Sequence, residues 1–323
     1  MKSSDKKIKL RTVFMGTSPF ANVILEGLIR ADYNLVAVYT RPDKKVGRNQ
    51  ELKQTLVKIT AEKFELPVFS PDKFEKETLD QLAEQKPDLI VVVAYGKILP
   101  RAVLSLPGFG AINVHASLLP SYRGPSPIQN ALLDGKIETG VTIMLMDEGI
   151  DTGAILAQKA VPIDQNEIYP QLSEKMSLAA EKLLLDTIPQ WIKRKIEPIE
   201  QSGENATYCQ LIERSDGKII WEDDGKEIYN RYRAFNPWPG VHAYWQSQNS
   251  NLRIKLNKLE FFGGDIPAKH RPGEVFQLEE FIAVYAGDDT AIILQEIQQE
   301  GRNNLKIRDF LNGNPSFLGS VLK

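Results

Sequence analysis

Apolar and polar positions in the first part of the chain predict strands and helices in alternation. The apolar run at residues 88–94, which contains Leu-Ile-Val-Val-Val, is the clearest strand pattern. A continuous run of this kind is typical of a strand covered on both faces of a parallel sheet. Since helix-like stretches separate the runs, we expect an α/β fold with a doubly wound, mostly parallel sheet. The predicted strands are residues 8–15, 35–40, 88–94, 111–114 and 140–146.

The pattern changes after a single long helix that is predicted over residues 168–196. The segment that follows is polar and contains Pro198 and Gly203, which is typical of a linker between domains. Beyond it, short strand patterns are separated by Gly, Asn and Pro, with one helix over residues 225–235. This pattern predicts a smaller β-rich domain, with a β-barrel as one arrangement. The predicted divisions are a domain over 1–196, a linker over 197–208 and a domain over 209–323, with strands at 241–245, 252–262, 282–285 and 291–295.

Length and composition agree with two domains and limit the chemistry. A chain of 323 residues exceeds the size at which one hydrophobic core usually suffices. The formal net charge of -2 excludes a global basic field for nucleic acid, so any RNA contact has to be local. The single cysteine, Cys209, excludes an internal disulfide and a Cys-based metal site. The three histidines show no pair at ligand spacing, so we expect no metal.

The amino-terminal sequence bears on location. Residues 1–10 are polar and lysine-rich, without an apolar run of signal-peptide length. No stretch of the sequence is continuously apolar over the length that a bilayer requires. We therefore expect a cytoplasmic protein without a membrane partner.

The loop after the first strand does not have a nucleotide-binding signature. It reads Gly-Thr-Ser-Pro from Gly16, with Ser18 as a predicted helix cap and Pro19 at the first helical position. The G-x-G-x-x-G spacing of dinucleotide sites is absent, and so is the G-x-x-x-x-G-K-[ST] phosphate loop. The sheet therefore has a nucleotide-binding topology without its phosphate signal, and a dehydrogenase is disfavoured.

Candidate chemistry begins at the end of the strand over residues 111–114. Because side chains alternate along a strand, Asn113 and His115 lie on the same face. An amide can donate a hydrogen bond to a developing oxyanion, and an imidazole can move or stabilise a proton near neutral pH. The pair therefore suits acyl-group chemistry. A polar strand end with a hydrogen-bonded histidine is the alternative, and spacing alone modestly favours it.

Asp151 lies in a carboxylate-rich loop, just past the next strand pattern. Since neighbouring strand ends in a parallel sheet bring their loops together, we expect Asp151 to reach His115. A carboxylate at that place would orient the imidazole and stabilise its protonated form. The alternative is an Asp-Thr-Gly turn in which Asp151 caps its own backbone, and the sequence around it favours this when considered alone.

The residues that surround this pair change both preferences. Residues 113–120 read Asn-Val-His-Ala-Ser-Leu-Leu-Pro, Arg-Gly follows at 123–124, and Asp-Thr-Gly begins at Asp151. This combination resembles the folate-dependent formyltransferases. The resemblance implies a Rossmann-like catalytic domain, an OB-like β-barrel as the second domain, and 10-formyltetrahydrofolate as the co-substrate. It implies that catalysis falls to Asn113, His115 and Asp151, and folate binding to Ser117, Leu118, Leu119 and Pro120.

Further segments resemble those family members that act on initiator methionyl-tRNA. Residues 40–48 read Thr-Arg-Pro-Asp-Lys-Lys-Val-Gly-Arg, and residues 233–240 contain Asn-Pro-Trp-Pro-Gly. The resemblance implies initiator methionyl-tRNA as the partner of a monomeric enzyme. The Asn-Gln-Glu that follows at 49–51 is less basic than the family pattern. The tRNA-binding role therefore carries over to Arg41, Lys44, Lys45 and Arg48 only.

The carboxyl-terminal part does not stand out by charge. Residues 209–323 carry 14 Lys and Arg against 16 Asp and Glu. Basic residues there could form a strip, but the sequence does not show whether they share a face. These residues are Arg231, Arg233, Arg253, Lys255, Lys258, Lys269 and Arg271.

Two alternatives to this function remain open at the level of sequence. The same catalytic core serves formyltransferases with another amine acceptor, such as a sugar nucleotide, and formyltetrahydrofolate hydrolases. The basic loop at residues 41–48 and Trp238 favour tRNA over a sugar. A noncatalytic folate- or RNA-binding protein is the alternative from a different class, and the presence of Asn113, His115 and Asp151 argues against it.

Overall fold

The computed structural model describes residues 10–46, 51–247 and 250–323. By their contacts these residues form two compact units. Residues 197–208, predicted as a linker, lie in the amino-terminal unit, and two short segments from before residue 173 lie in the carboxyl-terminal unit. The amino-terminal unit takes the described residues of Met1–Pro127 with Glu138–Pro162 and Ser173–Cys209, and the carboxyl-terminal unit takes Ile128–Ile137, Ile163–Leu172 and Gln210–Lys323.

A seven-stranded sheet forms the centre of the amino-terminal unit, as the alternating pattern predicts. Its strands are β1 (Thr12–Gly16), β2 (Leu35–Tyr39), β5 (Val68–Phe69), β6 (Leu89–Val93), β7 (Ala111–His115), β8 (Glu138–Leu145) and β9 (Ile155–Pro162), and a separate hairpin joins β3 (Lys44–Val46) to β4 (Glu51–Lys53). The helices up to residue 192 are α1 (Pro19–Arg30), α2 (Leu56–Lys63), α3 (Lys76–Glu84), α4 (Arg101–Leu104), α5 (Pro127–Leu133) and α6 (Tyr169–Ile192).

The strand order is β5-β2-β1-β6-β7-β8-β9. The first five strands run parallel to one another, and β8 pairs antiparallel with both β7 and β9. Every residue of β1, β6 and β7 is buried, and in β6 this explains the continuous apolar sequence. The helix start after β1 is also as predicted. Ser18 accepts a hydrogen bond from the backbone N–H of Ala21, and Pro19 opens the helix.

The polar segment after β2 differs from the prediction. A loop is predicted from Arg41 to about Lys53, but β3 and β4 pair antiparallel there, with Lys44 opposite Lys53. Strands of three residues are too short to leave an alternating pattern in the sequence. Arg48, the last residue predicted to contact tRNA, lies outside the described residues.

The elements of the carboxyl-terminal unit after residue 210 are α7 (Gly225–Phe235), β10 (Val241–Ser247), β11 (Ser250–Phe262), β12 (Val275–Leu278), β13 (Phe281–Tyr285), β14 (Ala291–Gln299), β15 (Asn304–Lys306) and α8 (Ile307–Gly313). Its antiparallel sheet curls in the order β10-β11-β14-β13-β12, with β15 paired to β14. Residues 319–323 link its two edges, because Lys323 exchanges backbone hydrogen bonds with Tyr244 while Val275 pairs with Ser320 and Gly319. This closure gives the expected OB-like barrel.

The predicted helix over 225–235 matches α7, whereas β12 and β15 have no counterpart among the predicted strands. Both are short, and pairing with a neighbouring strand defines them more than their own sequence does. In the part of the chain that the structure describes, no helix has both the length and the apolar character needed to span a membrane.

One buried histidine of this barrel makes stability depend on pH. Burial, together with the positive charges of Arg253 and Lys218, lowers the pKa of His242 to about 4. A guanidinium nitrogen of Arg253 lies 3.2 Å from Nδ1 of the ring. An unfolded histidine has a pKa near 6.5. Between about pH 6.5 and pH 4 the unfolded chain therefore binds a proton at this histidine, whereas the folded chain does not. The free energy of unfolding should therefore fall as pH drops from about 6.5 to about 4, by up to about 3 kcal/mol from this residue.

The substitution His242→Gln is expected to flatten the pH dependence in that window. Urea unfolding of the wild type and the variant at several pH values measures the difference. The substitution His270→Gln is the control, because His270 is paired with the carboxylate of Glu274 instead of with cations. An unchanged pH slope in His242→Gln would contradict this origin of the acid sensitivity.

Candidate active site

Two polar side chains at the carboxyl end of β7 reach the same carboxylate. Nδ2 of Asn113 lies 3.3 Å from Oδ1 of Asp151, and Nδ1 of His115 lies 3.5 Å from Oδ2. Asn113 is 9% exposed and His115 is 6% exposed, so water competes little for these contacts. The two residues share a face of the strand, as the period of two predicts. The structure thus brings together the three predicted catalytic residues.

Asp151 reaches this place by a route that differs from the prediction. The expectation rested on parallel neighbours, but β8 runs antiparallel to β7, with Met144 opposite Asn113. The connection from β8 to β9 therefore begins beside Ile112, which pairs with Leu145, and the backbone N–H of Met146 donates to the carbonyl oxygen of Ala111. The turn is tight at Gly153, where an added Cβ would lie 1.8 Å from the carbonyl oxygen of Leu145. The direction of β8 relative to β7 is not encoded in the strand pattern of β8.

The ring of His115 is held at both nitrogens. Nε2 lies 2.8 Å from the carbonyl oxygen of Tyr122, and Nδ1 faces Asp151. A carbonyl oxygen only accepts hydrogen bonds, and so does a carboxylate. Each ring nitrogen of His115 therefore faces a hydrogen-bond acceptor.

The carboxylate of Asp151 has a further anchor. The backbone N–H of Gly124 donates to Oδ2 at 2.8 Å. Gly124 has a φ of +112°, and an added Cβ would lie 2.6 Å from the backbone oxygen of Cys209. Both facts require glycine at this position. The Arg-Gly of residues 123–124 thus aims a backbone donor at the carboxylate.

The predicted folate-binding residues form a turn that is held by hydrogen bonds from the side chains of Ser117, Thr142 and Gln158. Ser117 is fully buried and donates to the carbonyl oxygen of Ser121, and Leu119 is also buried. The hydroxyl of Thr142 donates to the Ser117 carbonyl and accepts from the Leu119 N–H, at 2.6 and 3.0 Å. Gln158 donates to the Leu119 carbonyl. Of the four predicted residues, only Leu118 and Pro120 keep partly exposed side chains.

The loop from Asp147 to Gly153 combines internal hydrogen bonds with an exposed apolar residue. The carboxylate of Asp147 accepts hydrogen bonds from the hydroxyl of Thr152 and the backbone N–H of Gly149. Ile150, directly before Asp151, is 65% exposed. This loop therefore offers apolar surface next to the carboxylate of Asp151.

The predicted tRNA-binding residues lie at the start of the β3–β4 hairpin. Lys44 and Lys45 are exposed. The guanidinium of Arg41 is turned back onto the carbonyl oxygen of Gly96, so it is partly engaged within the protein. Two lysines of this set thus present exposed cationic surface, while Arg48 is not described.

The sequence did not predict the polar side chains that hold the backbone of the turn at Asp151. The side-chain amide of Gln201 contacts the carbonyl oxygens of Asp151 and Gly153, and its oxygen accepts from the guanidinium of Arg123. Gln201 lies in the segment that polarity predicted as a linker. The Arg-Gly motif was the available signal for Arg123, but no local pattern marked Gln201.

In the carboxyl-terminal unit, the predicted basic residues do not behave as one strip. Arg233 is buried and donates to the carbonyl oxygens of Asp164 and Glu167. Arg231 is paired with Asp223. Arg253 and Lys255 lie two positions apart on β11, and both line a concavity of about 350 Å³. Arg214 and the half-exposed Trp238 also border this concavity. None of the ion pairs among the described residues involves these three cations.

Comparisons with known proteins agree with this site. The sequence matches the family description "Formyl transferase" over residues 10–188 and "Formyl transferase, C-terminal domain" over residues 211–315. It is 44% identical over 308 residues to a methionyl-tRNA formyltransferase of Geobacillus sp. (strain WCH70), covering 94% of each chain. It is 42% identical over 317 residues to the enzyme of that name from Halalkalibacterium halodurans, covering 97% of this chain and 98% of that one.

Among solved structures, the chain resembles an N-formyltransferase from Helicobacter canadensis, in complex with folinic acid and dTDP-3-aminofucose. The TM-score is 0.66 at 23% identity, over 88% of this chain and 98% of that one. At this identity the likeness shows a shared fold. The sequence matches cover both parts of the chain, and the relatives are alike over nearly their whole length. The chain belongs to the formyl transferase family.

Proposed function

We propose that this protein transfers the formyl group of 10-formyltetrahydrofolate to the α-amine of initiator methionyl-tRNA. The observation that carries the proposal is the convergence of Asn113 and His115 on Asp151. It occurs in a chain that is 44% identical to a methionyl-tRNA formyltransferase over 94% of its length. The convergence supports acyl-group chemistry, and the relatives' names support the acceptor.

The reaction exchanges one bond to the formyl carbon for another. The neutral amine attacks that carbon and forms the new C–N bond, while the carbonyl electrons move onto oxygen. Collapse of the tetrahedral intermediate restores the carbonyl and breaks the bond to N10 of the folate. The amine loses one proton and N10 gains one, so the reaction needs no net proton. Its demands are a stabilised oxyanion and a path for protons.

We assign the oxyanion to the side-chain amide of Asn113. One amide hydrogen faces Asp151 at a donor–acceptor distance of 3.3 Å, and the amide group has a second hydrogen to give. In a buried site such a donor stabilises developing negative charge more than it would in water. The fixed end of β7 spares the reorganisation that a mobile donor would need.

We assign charge stabilisation and proton transfer to His115, with Asp151 orienting it. An imidazolium between the Tyr122 carbonyl and the Asp151 carboxylate would place positive charge beside the oxyanion. Asp151 would also accept the amine proton through water. A covalent intermediate on the enzyme is not needed, and the nearby candidates are poor nucleophiles. The Ser117 hydroxyl is buried, and burial raises the pKa of the Cys209 thiol.

The folate would lie against the partly exposed Leu118 and Pro120, with its pteridine edge at the loop of residues 147–153. Ile150 supplies apolar surface for a flat ring, and backbone groups of that loop supply polar partners. Folinic acid, a formylated folate, is bound to the similar Helicobacter canadensis protein.

For the tRNA we propose contacts from Lys44 and Lys45 and from the concavity that Arg214, Arg253 and Lys255 line. Cations without a carboxylate partner attract phosphate without first breaking an ion pair. The exposed indole of Trp238 offers a face on which a base can stack. Local clusters of this kind give RNA affinity to a chain whose net charge is -2.

The double variant Arg214→Ala/Lys255→Ala is expected to weaken tRNA binding and to lower its salt dependence. Each lost phosphate contact should reduce the slope of log K against log salt by roughly 1. Binding titrations at several salt concentrations measure the slope. Lys258→Ala is the matched control, because Lys258 lies on the same strand but outside the concavity. An unchanged slope in the double variant would remove this surface from the tRNA interface.

A sugar nucleotide is the second candidate acceptor, because dTDP-3-aminofucose is bound to the similar solved structure. Incubation with 10-formyltetrahydrofolate and either methionyl initiator tRNA or a dTDP-amino sugar separates the two. Mass spectrometry of the products should show formylmethionyl-tRNA and an unmodified sugar. A formylated sugar, or formate released without any acceptor, would overturn the proposed function.

A further inference from the structure

The backbone at Asp151 and just after it is held by one side chain from a distant segment. Nε2 of Gln201 lies 3.0 Å from the carbonyl oxygen of Asp151 and 2.7 Å from that of Gly153. A primary amide carries two hydrogens, so one side chain can satisfy both carbonyls. Gln201 is 50 residues from Asp151 in sequence, and the contact is therefore a tertiary one.

Asp151 needs such a hold because its backbone is strained. Its φ is +55°, in the left-handed region that non-glycine residues adopt at a cost of roughly 1 kcal/mol. A strained conformation persists only where the surroundings fix it from several sides. The side chain of Asp151 is fixed by the N–H of Gly124, and its carbonyl is fixed by Gln201.

Gln201 is itself held by Arg123. Its oxygen accepts from Nε of Arg123 at 3.2 Å and from Nη2 at 2.8 Å. Arg123 is 4% exposed, and a third guanidinium nitrogen, Nη1, lies 3.2 Å from the hydroxyl of Tyr208. This planar, two-pronged contact fixes the plane of the amide and so directs its hydrogens at the two carbonyls.

The contacts close into a ring around the catalytic turn. Arg123 is followed in sequence by Gly124, whose N–H binds the Asp151 carboxylate, and preceded by Tyr122, whose carbonyl binds His115. The guanidinium of Arg123 returns to the Asp151 backbone through Gln201. The peptide groups on either side of Arg123 and the Arg123 side chain thus place His115 and Asp151 relative to each other.

We propose that Gln201, fixed by Arg123, is a positioning residue that holds Asp151 in catalytic register with His115. It acts through Asp151 and need not touch either substrate. The kinetic part of this proposal rests on the proposed function, whereas the placement of Asp151 does not. Glutamine suits the position because its end both accepts from a guanidinium and donates to carbonyls.

The substitution Gln201→Glu separates the hydrogen bonds that Gln201 accepts from Arg123 from those that it donates to the two carbonyls. A glutamate still accepts from Arg123 but has no hydrogen for the carbonyls of Asp151 and Gly153, so the turn is released. Since misplacing a catalytic group by about 1 Å can cost about 100-fold, we expect kcat to fall by roughly 10- to 100-fold. KM for both substrates should stay within about threefold, because the substrate surfaces are unchanged.

The matched control is Gln190→Glu. Gln190 is exposed on α6, and its amide also donates to a backbone carbonyl, that of Asp186. This variant should keep the wild-type kcat. Gln201→Met, which removes both halves of the interaction without adding charge, should lower kcat at least as much as Gln201→Glu. Thermal melts identify any variant that fails to fold.

A double-variant cycle tests whether Gln201 acts through Asp151. In an Asp151→Asn background the further loss from Gln201→Glu should shrink to less than about threefold. If the full loss persists in that background, Gln201 acts by another route and the proposal is wrong. A kcat of Gln201→Glu equal to the wild type, in an active enzyme, would also overturn it.

Hydrogen exchange at the Gly124 amide gives a readout that does not depend on activity. This N–H is protected by its 2.8 Å bond to Asp151. Gln201→Glu should speed its exchange by at least about tenfold, while Gln190→Glu should leave it unchanged. Unchanged exchange at Gly124 would overturn the positioning role even if the wild type proves to act on another acceptor. An inactive wild type with faster exchange in Gln201→Glu would contradict the proposed function alone.

Discussion

Replacing His115 by alanine is expected to lower kcat/KM for formyl transfer by roughly 10²- to 10⁴-fold. That range is the usual contribution of a positioned side chain that transfers a proton at the transition state. The loss should be large here because the imidazole is buried and is fixed at both nitrogens, by Tyr122 and Asp151. Initial rates of tRNA formylation at subsaturating substrate measure the effect.

The fold and the tRNA affinity of His115→Ala should be close to those of the wild type. His270→Ala is the control for the loss of a histidine, since His270 stacks on Phe276 within the barrel. We expect this control to retain wild-type turnover. A His115→Ala protein that turns over within about tenfold of the wild type would exclude the proposed catalytic role.

Replacing Asn113 by alanine is expected to lower kcat by roughly 10²- to 10³-fold, with a smaller effect on KM. This is the usual cost of removing one donor from an oxyanion site. The donor matters most in the transition state, when negative charge has developed on the formyl oxygen, so the loss should appear in kcat. Single-turnover rates at saturating folate and tRNA measure the chemical step.

Asn113→Asp is the sharper variant of this test. It keeps the shape of the side chain but replaces the donor by a carboxylate that faces both the oxyanion and Asp151. We expect it to be at least as inactive as Asn113→Ala. Asn257→Ala, on a partly exposed asparagine of β11 that donates to Asn304, is the control. If Asn113→Asp retained more than about a tenth of the wild-type kcat, the amide would not be the oxyanion donor.

The shared face of Asn113 and His115 could be predicted from the sequence, because it depends only on their spacing along one strand. Two residues apart on a strand means the same face, whatever the rest of the fold does. The structure agrees, since Asn113 and His115 share one carboxylate. The strands that surround them were also predictable, because burial on both faces demands a continuous apolar sequence.

Non-local features could not be predicted in this way. Asp151 was expected near His115, but the reason given was wrong, because β8 runs antiparallel to β7 and the period of a strand does not encode its direction. Gln201 carries no apolar pattern at all, and a polar segment with Pro and Gly looks like a linker whether or not its side chains are engaged. Its hydrogen bonds become visible only when Asp151 and Arg123 are placed around it.

The basic residues show the same limit for surface chemistry. Arg233 and Arg253 look alike in sequence, but Arg233 is buried against the carbonyls of Asp164 and Glu167. Burial also lowers the pKa of its guanidinium. Charge counted along the chain therefore did not reveal which cations are available. The concavity around Arg253 and Lys255 emerges only from the curl of the barrel.

The central claim is direct formyl transfer at the Asn113–His115–Asp151 site, from folate to the amine of methionyl-tRNA. The most direct measurement is a single-turnover reaction with 10-formyltetrahydrofolate labelled in the formyl carbon, quenched over time and separated into protein, tRNA and small molecules. The account predicts that the label passes from folate to the α-nitrogen of methionine on the tRNA, without appearing on the protein. Label on the protein, or label released as formate while the tRNA stays unmodified, would contradict it.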